Sequence, residues 1–270
     1  MLNQLVRAIF VLFIVSIFIF ILAPIIFVLL SSFSRSSMLS FPPTDFSLEW
    51  YKHIPSDFIQ SLKISIIVAI ATALTATVLG VPAGMALSRG NVPGLQFINA
   101  LLMSPLMLPT LVIGVSLYSY YIFIWDISKL PLAGNLSGLI IGHSSFAIPY
   151  VIRNVTASLA LFDTSLEEAA MNLGANPRQA FFKVTVPIIM PGIIAGAIFA
   201  FIVSFDDVPV SLFLAGANST TLPIKIFTSI EFSLTPVVMA VAAMIVYISV
   251  ALLLILERML GLNRILGSKS

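Results

Sequence analysis

Residues 163–187 read DTSLEEAAMNLGANPRQAFFKVTVP, a polar interruption between two apolar runs. Thr164 followed by Glu167 gives the Ser/Thr-x-x-Glu pattern, in which each side chain satisfies the other's free backbone N–H at the start of a helix. Ala169, Ala170, Met171 and Leu173 favour that helix, and Gly174 suits the left-handed residue that ends it. Asn176 before Pro177 starts a second short helix, with Asn as the cap and Pro at the first helical position. Pro187 closes it. The expected product is a helix, bend, helix knuckle on which Leu166, Ala170, Met171 and Leu173 form an apolar patch that the loop cannot bury alone. Such a patch bearing carboxylates serves either as a docking surface for a protein or as an amphipathic surface on lipid headgroups. Glu167 and Glu168 disfavour an anionic membrane surface.

On either side of the knuckle, residues 137–160 and 188–205 are apolar over a length that crosses a bilayer, for which about 20 helical residues are needed. The stretches 8–30, 61–87, 97–124 and 237–256 match them, giving six expected spans in one membrane domain, 1–270. None alternates apolar and polar residues, which excludes a transmembrane barrel. Charged residues make up 9% and hydrophobic residues 59%, with a mean hydropathy of +1.12, whereas a soluble domain carries about 25% charge. The fold class is all-α integral membrane.

The first run, after Arg7, reads as a retained helix kinked near Pro24. It exceeds the ~7–15-residue apolar core of a signal peptide, and Ser31-Ser32-Phe33-Ser34-Arg35 offers no convincing cleavage pattern. An even number of spans puts both termini on one side. If that side is cytoplasmic, Arg7, Arg89, Arg153, Arg178, Lys183, Arg258, Arg264 and Lys269 lie inside, against Arg35, Lys52, Lys129 and Lys225 outside. The positive-inside rule favours this orientation, with Lys63 snorkelling at an outer helix end.

Several chemistries are excluded. A net charge of +2 from scattered bases leaves no nucleic-acid footprint, and the lack of cysteine removes disulfides, thiolate metal sites and thiol nucleophiles. Gly261 with Gly267-Ser268-Lys269 has neither the spacing nor the order of a phosphate-binding loop. His53 and His143 are not spaced to share a metal on one helical face. His143 beside Ser144 and Ser145 invites an intramembrane hydrolase reading. Consecutive helical residues point apart, however, and nothing supplies an oxyanion site, so an interhelical hydrogen bond is the simpler role.

The pattern Glu168-Ala169-Ala170, three residues, Gly174, nine residues, then Val184-x-Val186-Pro187 resembles the EAA loop of permease subunits of type I ATP-binding cassette importers. That loop is written EAA, three, G, nine, I-x-L-P; Val184 and Val186 replace Ile and Leu conservatively. The resemblance extends over roughly residues 61–256. It implies the six-helix type I permease fold with cytoplasmic coupling helices in 161–187. The ATPase-coupling residues it implies are Leu166, Glu167, Glu168, Ala169, Ala170, Met171, Gly174 and Pro187. The implied partners are a second permease, two ATPase subunits and an extracytoplasmic binding protein, in the cytoplasmic membrane of a bacterium or archaeon. ATP and Mg would sit on the ATPases, leaving no catalytic residue, cofactor or metal on this chain.

A second segment bears on the solute. Residues 188–205 span about 27 Å as a helix, which places Asp206 and Asp207 at its outer end. Apolar residues 208–214 then let the chain re-enter the membrane. Either Asp206 caps the helix and Asp207 is solvated, or at least one guides a cationic solute. Ser204-Phe205-Asp206-Asp207 with Thr221-Leu222-Pro223 and Lys225 is similar to the second permease subunit of the spermidine and putrescine subfamily. Polyamines present ammonium heads on methylene stems, which suit carboxylates and aromatic faces. Phe205, Phe213, Tyr118, Tyr120 and Tyr121 are the candidate wall residues. Subfamilies for ferric ion, thiamine or aminophosphonates share much of the pattern, so that one of these or an amino-acid-like compound is the alternative solute. An ion-driven secondary transporter would need charges within the spans, where only Lys63 and Arg153 occur, both near ends.

Gly80/Gly84, Gly138/Gly142 and Gly192/Gly196 are small-xxx-small pairs expected at helix contacts, with one at the interface with a second permease. Pro105 and Pro109 are expected to interrupt the third span and Pro149 the fourth.

Overall fold

The computed structural model describes residues 2–36, 41–43, 45–90, 93–232 and 235–260. Arg264 and Lys269 of the charge count, and the Gly267–Lys269 tail, lie outside these. The elements are α1 (Leu2–Ser31), α2 (Glu49–Lys52), α3 (Ser56–Arg89), α4 (Leu95–Met103), α5 (Thr110–Ser128), α6 (Leu136–Ala160), α7 (Ser165–Asn172), α8 (Pro177–Ala180), α9 (Val186–Phe205), α10 (Pro209–Leu214), α11 (Leu222–Phe232) and α12 (Pro236–Leu260). Among the described residues the only β pairing is the bridge between Ser34 and Phe46. Among the described residues five helical segments are long and apolar enough to cross a membrane, or up to six if α6 is joined to α7 across a 69° bend.

Two expectations are corrected, for Pro149 and Pro187, while the third run, 97–124, is interrupted at the expected prolines: α4 ends in a 3-10 turn at Ser104–Leu106, and Pro109 caps α5 from an extended-type conformation at ψ 129°. Pro105 and Pro109 both lack an N–H, so two ladder bonds are missing within five residues and the helix stops between them. By contrast, α6 continues through Pro149 without a break. Pro187 does not close the second knuckle helix either: α8 runs through a π-helical segment, Phe181–Thr185, directly into α9, with Pro187 in its first turn. The wider i→i+5 register accommodates a proline whose missing N–H would otherwise leave a gap in the ladder.

Internal contacts group the chain into two units, Met1–Ile59 with Ile226–Ile248, and Gln60–Lys225 with Ser249–Ser270. In the first, the apolar stretch of α1 from Val6 to Ile26 has no buried residue, as a rod facing lipid would have none. The segment after it is folded back on itself. Trp50 Nε1 donates to the Ser34 carbonyl at 2.7 Å, and the Tyr51 hydroxyl to Ser32 Oγ at 2.7 Å. Burial pushes the Tyr51 phenol up to about 12.

In the second unit α6 is the central helix. Ala147, Val151, Val155 and Leu159, each four residues from the last, are buried along one ridge. Small residues at the same spacing approach it: Ala76, Gly80 and Gly84 on α3, and Gly192, Gly196 and Ala200 on α9. A Cβ on Gly80 would lie 2.8 Å from Val151 Cβ, and one on Gly196 2.9 Å from Val151 Cα. A Cβ on Gly192 would meet Ser158, one on Gly142 would meet Leu214, and one on Gly138 the Leu132 backbone. All three glycine pairs are therefore filled by this chain's own atoms, which corrects the expectation that one serves a second permease. Thr75 and Ser144 join α3 to α6 through a 2.6 Å hydroxyl pair.

Candidate functional site

The knuckle is built largely as its residue types dictate, with one exception at its start. Thr164 makes no side-chain cap. Asp163 does so instead, its Oδ1 accepting the Ser165 N–H at 2.9 Å. That backbone hydrogen bond holds the Asp163 carboxyl below the usual carboxylate range. The helix ends in a Schellman motif, with Ala175 N donating to Ala170 O at 3.0 Å, Gly174 N to Met171 O at 2.9 Å, and Gly174 at φ +95°. The second helix opens with a complete reciprocal cap: Gln179 N donates to Asn176 Oδ1 at 2.9 Å, and Asn176 N to Gln179 Oε1 at 3.0 Å. Leu166, Met171 and Leu173 are exposed, the last by 90%, and Glu168 and Ala169 are exposed beside them, with Ala170 half-buried and Pro187 exposed in the first turn of α9.

Glu167 was expected both in the capping pair with Thr164 and among the docking residues; it is turned inward. Its carboxylate takes a two-pronged bond from Arg89, Nη1 to Oε2 at 3.1 Å and Nη2 to Oε1 at 3.0 Å, and a further hydrogen bond from the Thr185 hydroxyl. Arg89 also lies over the Phe162 ring, 5.5 Å from its centroid. An arginine fork offers the carboxylate two charge-assisted bonds, where the capping pair would offer it one uncharged backbone N–H, that of Thr164. Sequence reading missed Arg89, Thr185 and Phe162 because 78 residues separate Arg89 from Glu167. The only available signal was a basic residue ending one span and an acidic residue in the same-side loop.

At the other end of α9, the Asp pair divides. Asp207 is buried; its Oδ2 accepts the Ser211 N–H at 2.7 Å and stands 3.6 Å from His143 Nε2. His143, fully buried on α6, bonds Ser204 on α9 at 2.7 Å through Nδ1 and Ser211 on α10 at 2.8 Å through Nε2. These four polar residues pin three helices together, and Asp207 is only 7% exposed. Asp206 is exposed at the end of α9, without a side-chain cap.

The aromatic wall is also corrected. Phe205 and Tyr121 are each 1% exposed, and the Tyr121 hydroxyl donates to the Gly138 carbonyl at 2.8 Å. Tyr121 sits in the cluster of buried apolar residues on α5, α6 and α10, and Phe205 is buried at the end of α9. Phe213 is half-buried against α5, where a Cβ on Gly114 would lie 2.8 Å from its Cδ2. Tyr118 and Tyr120 remain exposed.

Comparison with known proteins matches this geometry to a family. Residues 76–261 fit the model for the binding-protein-dependent transport system inner membrane component. Over 231 residues the chain is 31% identical to the putrescine transport system permease protein PotI of Escherichia coli, covering 84% of this chain and 82% of that one. It is 30% identical over 235 residues to the spermidine/putrescine transport system permease protein PotC of Haemophilus influenzae, covering 86% and 88%. In fold it resembles a chain of a bacterial ABC transporter involved in the import of the acidic polysaccharide alginate, with a TM-score of 0.71 at 18% identity over 95% of this chain and 96% of that one. The chain thus belongs to the binding-protein-dependent inner-membrane transport family and is a multi-pass permease subunit of an ABC importer.

Proposed function

We propose that this permease carries a polyamine across the inner membrane by alternating access, driven by ATPase subunits that dock on the α7–α8 knuckle. The observation that carries the reading is the knuckle itself: a Gly174-bent helix pair presenting Leu166, Glu168, Ala169, Met171 and Leu173 outward. A patch of this kind gains by entering a cleft on a partner protein. In this reading the knuckle and both termini are cytoplasmic, which agrees with the distribution of arginine and lysine. ATP and Mg are held by two partner ATPase subunits, a second permease completes the route, and an extracytoplasmic protein delivers the solute. Closure of the ATPases on ATP pushes the knuckles and biases the helices between two arrangements.

The polyamine assignment is supported by the likeness to PotI and PotC, and by Asp206, the carboxylate of the pair left exposed at the end of α9. The test is uptake of labelled putrescine and spermidine by proteoliposomes holding the assembled importer. ATP-dependent uptake of either is expected. Uptake of ferric ion, thiamine or an aminophosphonate, with neither polyamine moved, would replace the assignment while leaving the permease role intact.

A further inference from the structure

We infer that Arg89, Glu167 and Thr185 form a strut that makes the knuckle rigid with the membrane helices, so that Glu167 positions the coupling helix rather than contacting the ATPase. This rests on the ATPase-docking reading above. Three elements meet at one carboxylate: Arg89 is the last residue of α3, Glu167 lies in the first turn of α7, and Thr185 is the last residue before α9. Glu167 has a side chain only 17% exposed, and Thr185 is fully buried. The Phe162 ring covers the guanidinium from the segment linking α6 to α7.

The covalent connections of α7 are pliable by comparison. It leaves α6 through a 69° bend, and at its other end the chain turns at Gly174, whose φ of +95° is open to glycine without strain. Held by these alone, the eight-residue helix would pivot, and a push on it would be spent in the loop. A planar fork fixes orientation as well as distance, which a point charge would not do. Surface ion pairs contribute little to stability, so the value of this one lies in geometry. The helices it grips are α3 and α9, which both pack through glycines on α6. A displacement of the knuckle is therefore passed to all three as one body.

The natural chain has no cysteine, so spin labels can be placed cleanly at Ser88→Cys on α3 and Asn172→Cys on α7. In nanodiscs, electron paramagnetic resonance should give one narrow distance, for the chain alone and for the assembled importer with or without ATP and vanadate. Arg89→Gln and Glu167→Gln should broaden it, and in proteoliposomes should lower solute moved per ATP hydrolysed by about tenfold, within the range of ordinary coupling energies. The reversed pair, Arg89→Glu with Glu167→Arg, should restore both readouts. Arg89→Lys keeps the helix-end charge needed for insertion but loses the fork; it serves if the other variants are not inserted, with the same broadening expected. A distance that stays narrow in the variants, or a coupling ratio that does not change, overturns the strut. An importer whose ATPases do not co-purify with the natural chain removes the docking reading instead, and the distance in the chain alone then still decides the strut.

Discussion

The carboxylate of Asp207 accepts the backbone N–H of Ser211 at 2.7 Å, capping the turn of chain that follows the fifth apolar span. One oxygen of an acidic pair is thereby committed to structure, while its neighbour Asp206 stays exposed. Asp207→Ala is expected to lower stability by about 1–3 kcal/mol, the usual cost of a buried donor left without its acceptor, seen as a lower melting midpoint of the purified chain in detergent. Asp206→Asn should leave the midpoint alone and raise the half-saturating concentration of polyamine uptake.

His143 supplies both of its ring nitrogens to serines on two other helices. His143→Ala should destabilise the chain by about 1–2 kcal/mol for each interhelical bond lost. Ser204→Ala should lose roughly half as much, and a thermal melt of the two variants side by side would show the difference. Equal, negligible shifts would mean that the buried network carries no weight.

The glycine rows were legible from spacing, and so was the all-helical membrane fold, because both depend on local composition and period. What each glycine faces was not. Val151 stands between α3 and α9, close to Gly80 on one side and Gly196 on the other. Gly80→Ala is therefore expected to lower the yield of inserted, folded chain. Val151→Ala in the same chain should recover part of the loss, with a coupling energy of about 0.5–3 kcal/mol in a double-mutant cycle.

At the knuckle, residue types with a local job were readable: Gly174 at its left-handed turn, Asn176 and Gln179 at their reciprocal cap. Glu167 was misread because the backbone N–H of Thr164 competes poorly with a guanidinium that only the tertiary fold delivers. The burial of Tyr121 and Phe205 was not legible, since an aromatic residue looks alike in sequence whether it lines a route or fills a core. The broken third span was half legible: its prolines announce a break, while its length suggests a single helix.

A Cβ on Gly174 would touch nothing within 4 Å, yet φ of +95° strains any residue that carries one. Gly174→Ala should cost about 1–2 kcal/mol through the backbone alone, and Gly174→Asn less. In the assembled importer both should keep the chain inserted while lowering transport, Ala more than Asn. Glu168→Lys, which alters charge on the exposed face without backbone strain, should impair transport with no change in melting midpoint.

The central claim is that the exposed face of α7 and the turn after it sit against an ATPase. Single cysteines at Leu173 and at Met171, in a chain that has no others, can be joined to neighbouring proteins with a short bifunctional reagent in the working, membrane-embedded importer. The expected result is a conjugate containing the ATPase subunit, formed from both positions and changed in yield by ATP. Absence of any ATPase conjugate from either position, in vesicles that transport at the normal rate, would contradict the account.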